Sequence, residues 1–218
     1  MTAEPTAASQ SGARSRGQHQ RRKRIVQAAA ALASRGGVEA MQMRTVAERA
    51  GVALGTLYRY FPSKMDLVVA VVSEELDLLE GSLHRRPPRS AAPPRRAVEV
   101  LMRATRGLMR EPELADALIR SLLLSDVTTD FGDRMVGLLS RVVGGPRDAD
   151  PHDAGPRDAG PHGVASSDGA ADRERLVLLG ALSSIWVMEM IEVLRGHTTT
   201  EQIQGRLEVS ADRLLTGL

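Results

Sequence analysis

Apolar residues recur three and four positions apart along most of the 218-residue chain. That is the period of an α-helix that buries one face. The first stripe follows Arg21 and stops at Gly36 and Gly37, where a helix C-terminus is expected. No segment shows the alternation between turns that is typical of strands. The pattern predicts an all-α fold of about nine helices, over residues 21–35, 44–50, 54–60, 62–79, 97–110, 113–125, 130–143, 172–195 and 200–215.

Local composition divides this helical chain into an N-terminal arm and two domains, the second of which carries an insert. Residues 1–20 are rich in small and polar residues and lack an apolar stripe, which predicts a disordered basic arm. Residues 21–66 and 67–218 form the two expected domains. An insert at about residues 144–170 carries the repeat PRDAD, PHDAG, PRDAG, PHGVA, and its regular prolines exclude helix and sheet. We expect a disordered surface loop there, with weak metal binding by its His and Asp residues as the alternative.

Charge and composition narrow the function classes. Residues 1–64 hold eleven Lys/Arg and three Asp/Glu, a balance of 11 − 3 = +8, whereas the rest of the chain is net acidic. This asymmetry indicates a polyanionic partner, with a solvated basic tail as the alternative. The chain has no Cys, and its five His residues lack metal-ligand spacing, so no metal and no cofactor is expected. We find no paired carboxylates, nucleophile–base set or phosphate loop, which leaves an all-α enzyme as a remote alternative with no catalytic residues to name.

The sequence also argues against a membrane protein and against an exported protein. We find no stretch of about 18 uninterrupted apolar residues and no apolar leader at the N-terminus. We therefore expect no membrane partner and a cytoplasmic, nucleoid-associated location.

The segment Met43–Lys64 has the spacing of a helix-turn-helix, with two short helices on either side of a turn at Gly51. An α-helix fits the major groove of B-DNA, where Arg can pair with guanine edges and a Thr methyl can contact thymine. Candidate base-reading residues are Gly55, Thr56 and Arg59. Candidate phosphate ligands are Thr45, Tyr58, Tyr60 and Lys64, with Arg44 suited to either role. Arg21, Arg22, Lys23 and Arg24 could follow the minor groove or adjacent phosphates. The alternative for each is a solvated residue packed on its own helix.

This segment resembles the DNA-binding domain of the TetR family of bacterial transcriptional repressors. One departure is Ala53, where the family often has a capping Ser. A narrower resemblance, extending to WVMEMIEVLRGHTT and IQGRL, is to the TetR-type repressors of steroid (cholesterol) catabolism, and it implies a steroid or its CoA thioester as effector. The matching residues of the family pattern are Thr45, Val46, Ala47, Ala50, Gly51, Val52, Gly55, Thr56, Leu57, Tyr58, Tyr60, Phe61, Ser63, Lys64 and Leu67.

The C-terminal half suggests how such a protein would assemble and respond. The stretch 172–195 is more apolar than one subunit needs, so with residues 200–215 it predicts a four-helix dimer interface. Candidate interface residues are Leu178, Leu182, Ile185, Ile203, Leu207 and Leu214. Candidate ligand-pocket residues are Leu101, Met102, Leu108, Leu118, Leu122, Trp186 and Met190, with ordinary core packing as the alternative.

We therefore expect a homodimeric repressor that binds a palindromic DNA operator and is released by a small apolar effector. Alternatives are an activator, or a regulator of an efflux or stress gene with an unrelated effector.

Overall fold

The computed structural model describes the backbone of residues 7–124, 131–144 and 167–216, and the side chains of 16–120, 131–144 and 169–216. Within these ranges the chain forms nine helices and no strand, which confirms the all-α prediction. The helices are α1 (Ala7–Ala40), α2 (Met43–Ala50), α3 (Leu54–Tyr60), α4 (Lys64–Arg85), α5 (Pro93–Leu108), α6 (Pro112–Leu124), α7 (Phe131–Val143), α8 (Ser167–Leu194) and α9 (Thr200–Leu215).

The N-terminus differs from the expected disordered arm, because α1 begins at Ala7 and continues without a break into the first packed turns. The physical reason is local: between Pro5 and Ile25 the chain has no helix breaker except two glycines, and it is rich in Ala, Gln and Arg, which favour helix. From residue 16, where the described side chains begin, Ile25 is the first fully buried residue of this helix. The packed part of α1 can therefore nucleate the helix that extends before it.

Glycines interrupt α1 and end α2 where the sequence pattern places them. Gly36 and Gly37 leave the helical conformation, and Gly37 has a φ of 65° and ψ of −169°. Gly51 adopts the left-handed conformation with φ 65° and ψ 41°, which costs a non-glycine residue more. A sharp turn then leads directly from α2 into α3.

The sequence has a capping-box spacing at the start of α2 and of α9, and the structure forms the capping box at α9. Thr45 with Glu48 has the spacing of a capping box, yet the N-cap of α2 is Gln42, and α2 has no side-chain cap. The helix begins at Met43, one residue before the predicted start, and Thr45 lies inside its first turn. At α9, Thr199 and Gln202 form a capping box: each side chain bonds the other residue's backbone N–H, at 3.3 and 3.0 Å.

The chain divides into two compact units, and the division does not follow the expected boundary at residue 66. One unit combines residues 1–77 with 108–129, so that α6 packs against α1 beside the short helices α2 and α3. Its described core is aliphatic and contains a single aromatic side chain, Phe61. Its buried aliphatic side chains include Ile25, Met41, Leu57, Leu67, Leu114 and Leu118.

The second unit combines residues 78–107 with 130–218. Within it α8 packs against both α7 and α9. Arg206 of α9 forms an ion pair with Glu189 of α8, with 3.0 Å between Nη1 and Oε2. The described core of this unit is centred on Trp186, with Leu101, Met135, Leu139, Leu179, Leu182, Met190, Ile203 and Leu207 among its buried side chains.

The segment Gly169–Leu194 of α8 is long and apolar enough to cross a bilayer, judged by length and composition alone. This differs from the expectation that no stretch of the chain would pass such a test. A helix that packs inside a protein passes it equally, so the test by itself assigns no membrane location. The helix begins at Ser167 rather than near Asp172, and the repeat at Pro146–Ala165 lies outside the described residues.

Candidate nucleic-acid interface

Helix α3 buries one side and exposes the other. Leu57 is fully buried, and Phe61 follows it into the same core as the C-cap residue of the helix. Gly55, Tyr58 and Arg59 are exposed on the opposite side, with 46% of Tyr58 accessible to solvent. A short helix anchored on one side presents its other side as a rigid surface.

Two of the predicted contact residues on α3 are less accessible. Thr56 and Tyr60 are half-buried. The guanidinium of Arg59 lies 6.0 Å from the centre of the Tyr60 ring, which is the outer limit of a cation–π contact. The surface of α3 is therefore made by Gly55, Tyr58 and Arg59, with Thr56 and Tyr60 at its edges.

The turn before α3 is held by backbone hydrogen bonds. The N–H of Val52 donates to the carbonyl of Ala47 at 3.0 Å, and the N–H of Gly51 donates to Glu48 at 3.1 Å. Ala53 is the N-cap of α3 and provides no side-chain cap. The orientation of α3 thus depends on this turn and on Leu57, while the first N–H groups of α3 have no side-chain acceptor at the cap.

The N-terminus of α4 is capped by reciprocal hydrogen bonds between Ser63 and Asp66, a cap that the sequence analysis missed. The Ser63 N–H and hydroxyl both donate to Asp66 Oδ2, at 2.9 and 2.7 Å, and the Asp66 N–H donates to the Ser63 hydroxyl at 3.1 Å. An S-x-x-D spacing directly before an apolar stripe is the sequence signature of this cap. Because Asp66 places a carboxylate in the first turn, an anion bound there would meet a negative charge.

Lys64 and Arg44 both have carboxylate neighbours. Lys64 Nζ lies 3.7 Å from Glu39 Oε2, and 35% of the lysine side chain is accessible. Arg44 is exposed and lies 3.8 Å from Glu48, four residues along α2. Exposed ion pairs of this kind contribute about 0–1 kcal/mol, so either cation can exchange its partner for a phosphate at little cost. Thr45, beside Arg44, is half-buried.

The basic cluster of α1 lies next to the end of α3. Arg21, Arg22, Lys23 and Arg24 are all exposed, and the Arg22 guanidinium lies 5.4 Å from the centre of the Phe61 ring. The structure therefore brings residues from three parts of the sequence, on α1, α2–α3 and the start of α4, into one unit.

The predicted ligand-pocket residues fall into different units. Leu101, Met102, Trp186 and Met190 are buried in the second unit, whereas Leu118 is buried in the first. Leu108, also of the first unit, is half-buried, and the Leu122 side chain lies outside the described residues. A pocket made by these residues remains a prediction.

Three of the predicted dimer-interface residues have no free surface. Leu182, Ile203 and Leu207 are fully buried within the chain, and the helices that carry them, α8 and α9, pack against each other. Leu178, Ile185 and Leu214 are half-buried. Two exposed apolar residues of α8 lie on another stripe, Val177 at 65% and Met188 at 59% accessibility, with exposed Ala181 and Ser184 between them. Leu176, at 44%, is exposed beside this stripe. The sequence analysis missed this stripe because almost every face of α8 is apolar.

Known proteins resemble the chain over nearly its whole length. Residues 25–71 match the model of the bacterial regulatory proteins of the tetR family. The HTH-type transcriptional repressor KstR of Rhodococcus jostii (strain RHA1) is 33% identical over 202 residues, covering 92% of this chain and 85% of that protein. KstR of Mycolicibacterium smegmatis is 31% identical over 208 residues, covering 93% and 90% of the two chains.

Solved structures agree with the fold. A TetR transcriptional regulator from Rhodococcus sp. RHA1 aligns with a TM-score of 0.69 and 28% identity, over 93% of this chain and 99% of that one. The exposed side of α3, the basic balance of residues 1–64 and these relatives lead to one conclusion. The chain belongs to the TetR family of bacterial regulatory proteins, and its role is transcriptional regulation rather than catalysis.

Proposed function

We propose that the protein is a homodimeric repressor that inserts α3 of each subunit into successive major grooves of a palindromic operator and leaves the DNA when a small apolar effector binds. The observation that carries this proposal is that α3 is buried on one side and exposed on the other. Leu57 anchors the helix, while Gly55, Tyr58 and Arg59 remain exposed. Arg59 is the best-suited base reader, because a guanidinium can bond both acceptors of a guanine edge.

The contacts to the DNA backbone follow from position and charge. Tyr58 is exposed on α3, Lys64 is the first residue of α4, and Arg44 projects from α2 with 82% of its side chain accessible. Thr45, Thr56 and Tyr60 contribute from half-buried positions. Such contacts fix the orientation of the helix without reading sequence.

Dimerisation is supported by the exposed apolar stripe of α8. Val177, Ala181, Ser184 and Met188 are spaced four, three and four residues apart, which places them on one helix face. A twofold axis across this face would set the two copies of α3 at a fixed separation. The operator would then consist of two half-sites about one helical turn apart.

For the effector we propose a steroid or a steroid CoA thioester. The support is the resemblance over most of the chain to repressors of the KstR group, together with an aliphatic, methionine-containing core in the second unit. The effector lowers DNA affinity only as far as it binds the released conformation better than the DNA-bound one. An efflux or stress gene as target, with an unrelated effector, is the second candidate, and we propose a cytoplasmic, nucleoid-associated location for either.

The test is selection of bound duplexes from random DNA with the purified protein, followed by a search for the site upstream of its own gene and neighbouring genes. We expect a palindrome, and we expect the site beside genes of steroid degradation. Binding of all sequences with similar affinity would contradict specific operator recognition. A palindrome found beside an efflux gene would favour the second candidate.

A further inference from the structure

We propose that residues 7–24 of α1 form a rigid helical rod that lies against the backbone phosphates of the DNA flanking each operator half-site. The rod would add a sequence-independent contact to the one made by α3. This role presupposes the operator binding proposed above and extends its footprint.

The first observation is the length of the helix before its core contacts begin. The helix runs from Ala7, and among its side chains described from residue 16 onward the first fully buried one is Ile25. At about 1.5 Å per residue, the preceding part is roughly 27 Å long. Residues 18–24 are all exposed.

The second observation is a change of chemistry along one helix face. Ile25, Val26 and Ala29 form the core-facing stripe of α1. Arg21 and Arg22 lie one turn before Ile25 and Val26, so they continue the same stripe. The stripe therefore changes from apolar to cationic where the described core ends.

The third observation is the neighbour of that cationic stripe. The Arg22 guanidinium lies 5.4 Å from the centre of the Phe61 ring, and Phe61 is the C-cap of α3. The rod thus starts beside the end of the helix that would occupy the major groove. Arg22 is a positioning residue, because it packs on Phe61.

The fourth observation is the lack of neutralising partners. Among the residues that the structure describes, no carboxylate lies within ion-pair distance of Arg16, Arg21, Lys23 or Arg24, in contrast to Lys64 and Arg44. These four cations are solvated in the free protein. Phosphates are the ligand that such a cluster of unpaired cations fits best.

A basic arm can bind either in the minor groove of DNA or along its backbone phosphates, and the helical conformation of the arm favours the phosphates. An α-helix with its side chains is about 10–12 Å wide, whereas the minor groove is about 6 Å wide. A rod cannot enter the minor groove as an extended arm does, which leaves the phosphates at the groove edge. The stretch from Arg16 to Arg24 is about 12 Å long and would follow about three to four base pairs.

The test compares binding to two duplexes that share the selected operator. One ends at the outer edge of the half-sites, and the other carries about ten further base pairs on each side, more than the rod can span. We expect the wild-type protein to bind the longer duplex about tenfold more tightly or better at low salt. The variant Arg16→Ala/Arg21→Ala/Lys23→Ala/Arg24→Ala should lose this gain, together with about 0.9 of salt slope for each phosphate contact removed.

The matched control removes the same charge elsewhere. Arg85, Arg86, Arg89 and Arg95 are exposed cations of the second unit. Their fourfold alanine variant should keep the full gain on the longer duplex. If both variants lost this gain equally, the effect would be one of general charge, and the proposed contact of the rod would be contradicted.

Rigidity is tested at Gln18, an exposed position inside the rod. Gln18→Pro keeps every charge but removes a helical hydrogen bond, whereas Gln18→Ala keeps the helix. We expect the proline variant alone to lose the gain. Full gain in the proline variant would mean that a flexible tail suffices, and equal wild-type affinity for the two duplexes would mean no flanking contact. Failure to bind the operator at all would instead contradict the proposed function.

Discussion

The indole N–H of Trp186 donates a hydrogen bond of 2.9 Å to the hydroxyl of Thr105, and both side chains are buried. The Thr105 hydroxyl in turn donates to the carbonyl of Leu101 at 3.0 Å. Every polar group in this chain of bonds has a partner, so the bonds stabilise the packing of α8 on α5. Trp186 is thereby a core residue whose indole N–H already has an acceptor within the chain.

Thr105→Val should destabilise the protein, because it leaves the buried indole N–H without an acceptor. The expected loss is about 1–3 kcal/mol, which lowers Tm by about 2–4 °C for each kcal/mol in a domain of this size. Thermal unfolding followed by circular dichroism measures it. Trp186→Phe removes the donor as well, so the double variant should lose less than the sum of the two single losses. Additive losses would mean that the bond contributes nothing.

Arg59 and Lys64 should separate base reading from phosphate binding. Arg59→Ala should reduce discrimination at one base pair of each half-site by about 1–3 kcal/mol. Lys64→Gln should weaken binding to every duplex alike and lower the salt slope by about one unit. Titrations of operator and single-mismatch duplexes at several salt concentrations measure both effects. An Arg59→Ala protein with unchanged mismatch discrimination would contradict the assignment.

Ala181→Arg should convert the proposed dimer to monomers, because it places a charge in the middle of the exposed apolar stripe between Val177 and Met188. Analytical ultracentrifugation reports the association state. Gln27→Arg introduces the same side chain at an exposed position of α1 and serves as the control. A dimer that persists in Ala181→Arg would place the interface on another surface.

Glu75 should make stability depend on pH. Burial raises the pKa of the Glu75 carboxyl, Glu111 and then Glu74 raise it further, and Arg110 lowers it. A carboxyl whose pKa is raised on folding stabilises the native state below its unfolded pKa, and that contribution is lost as pH rises through the folded pKa. Glu75→Gln should therefore raise Tm by a few degrees at most near neutral pH, since the group is only partly buried. The difference should shrink as pH falls below the unfolded pKa; a gain that is constant with pH would exclude this cause.

Thr199→Ala should destabilise α9 by about 1 kcal/mol through loss of the capping box. Thr45→Ala is the matched comparison, because α2 has no side-chain cap and Thr45 lies inside the helix. Chemical denaturation should place the Thr45 variant much closer to the wild-type protein. Equal losses would mean that the cap at Thr199 has no special role.

The sequence by itself determined the helices and the helix-turn-helix. The apolar period of a helix is a local pattern, and the turn at Gly51 needs a conformation that few residues tolerate. The helices and the helix-turn-helix can therefore be predicted from short segments of the sequence. The same holds for Leu57, whose spacing on α3 already indicates that Gly55 and Arg59 face away from the core.

Only the tertiary structure decided which apolar faces remain free. Leu182, Ile203 and Leu207 have the same apolar character as Val177 and Met188, yet the fold buries the first three and leaves the other two exposed. The same is true of α1: its helix continues to Ala7 as an extension of a packed segment, and only the fold brings Arg22 to Phe61. Burial and neighbours depend on contacts between residues far apart in the chain, and a periodic pattern carries no information about which of several apolar faces meets which partner.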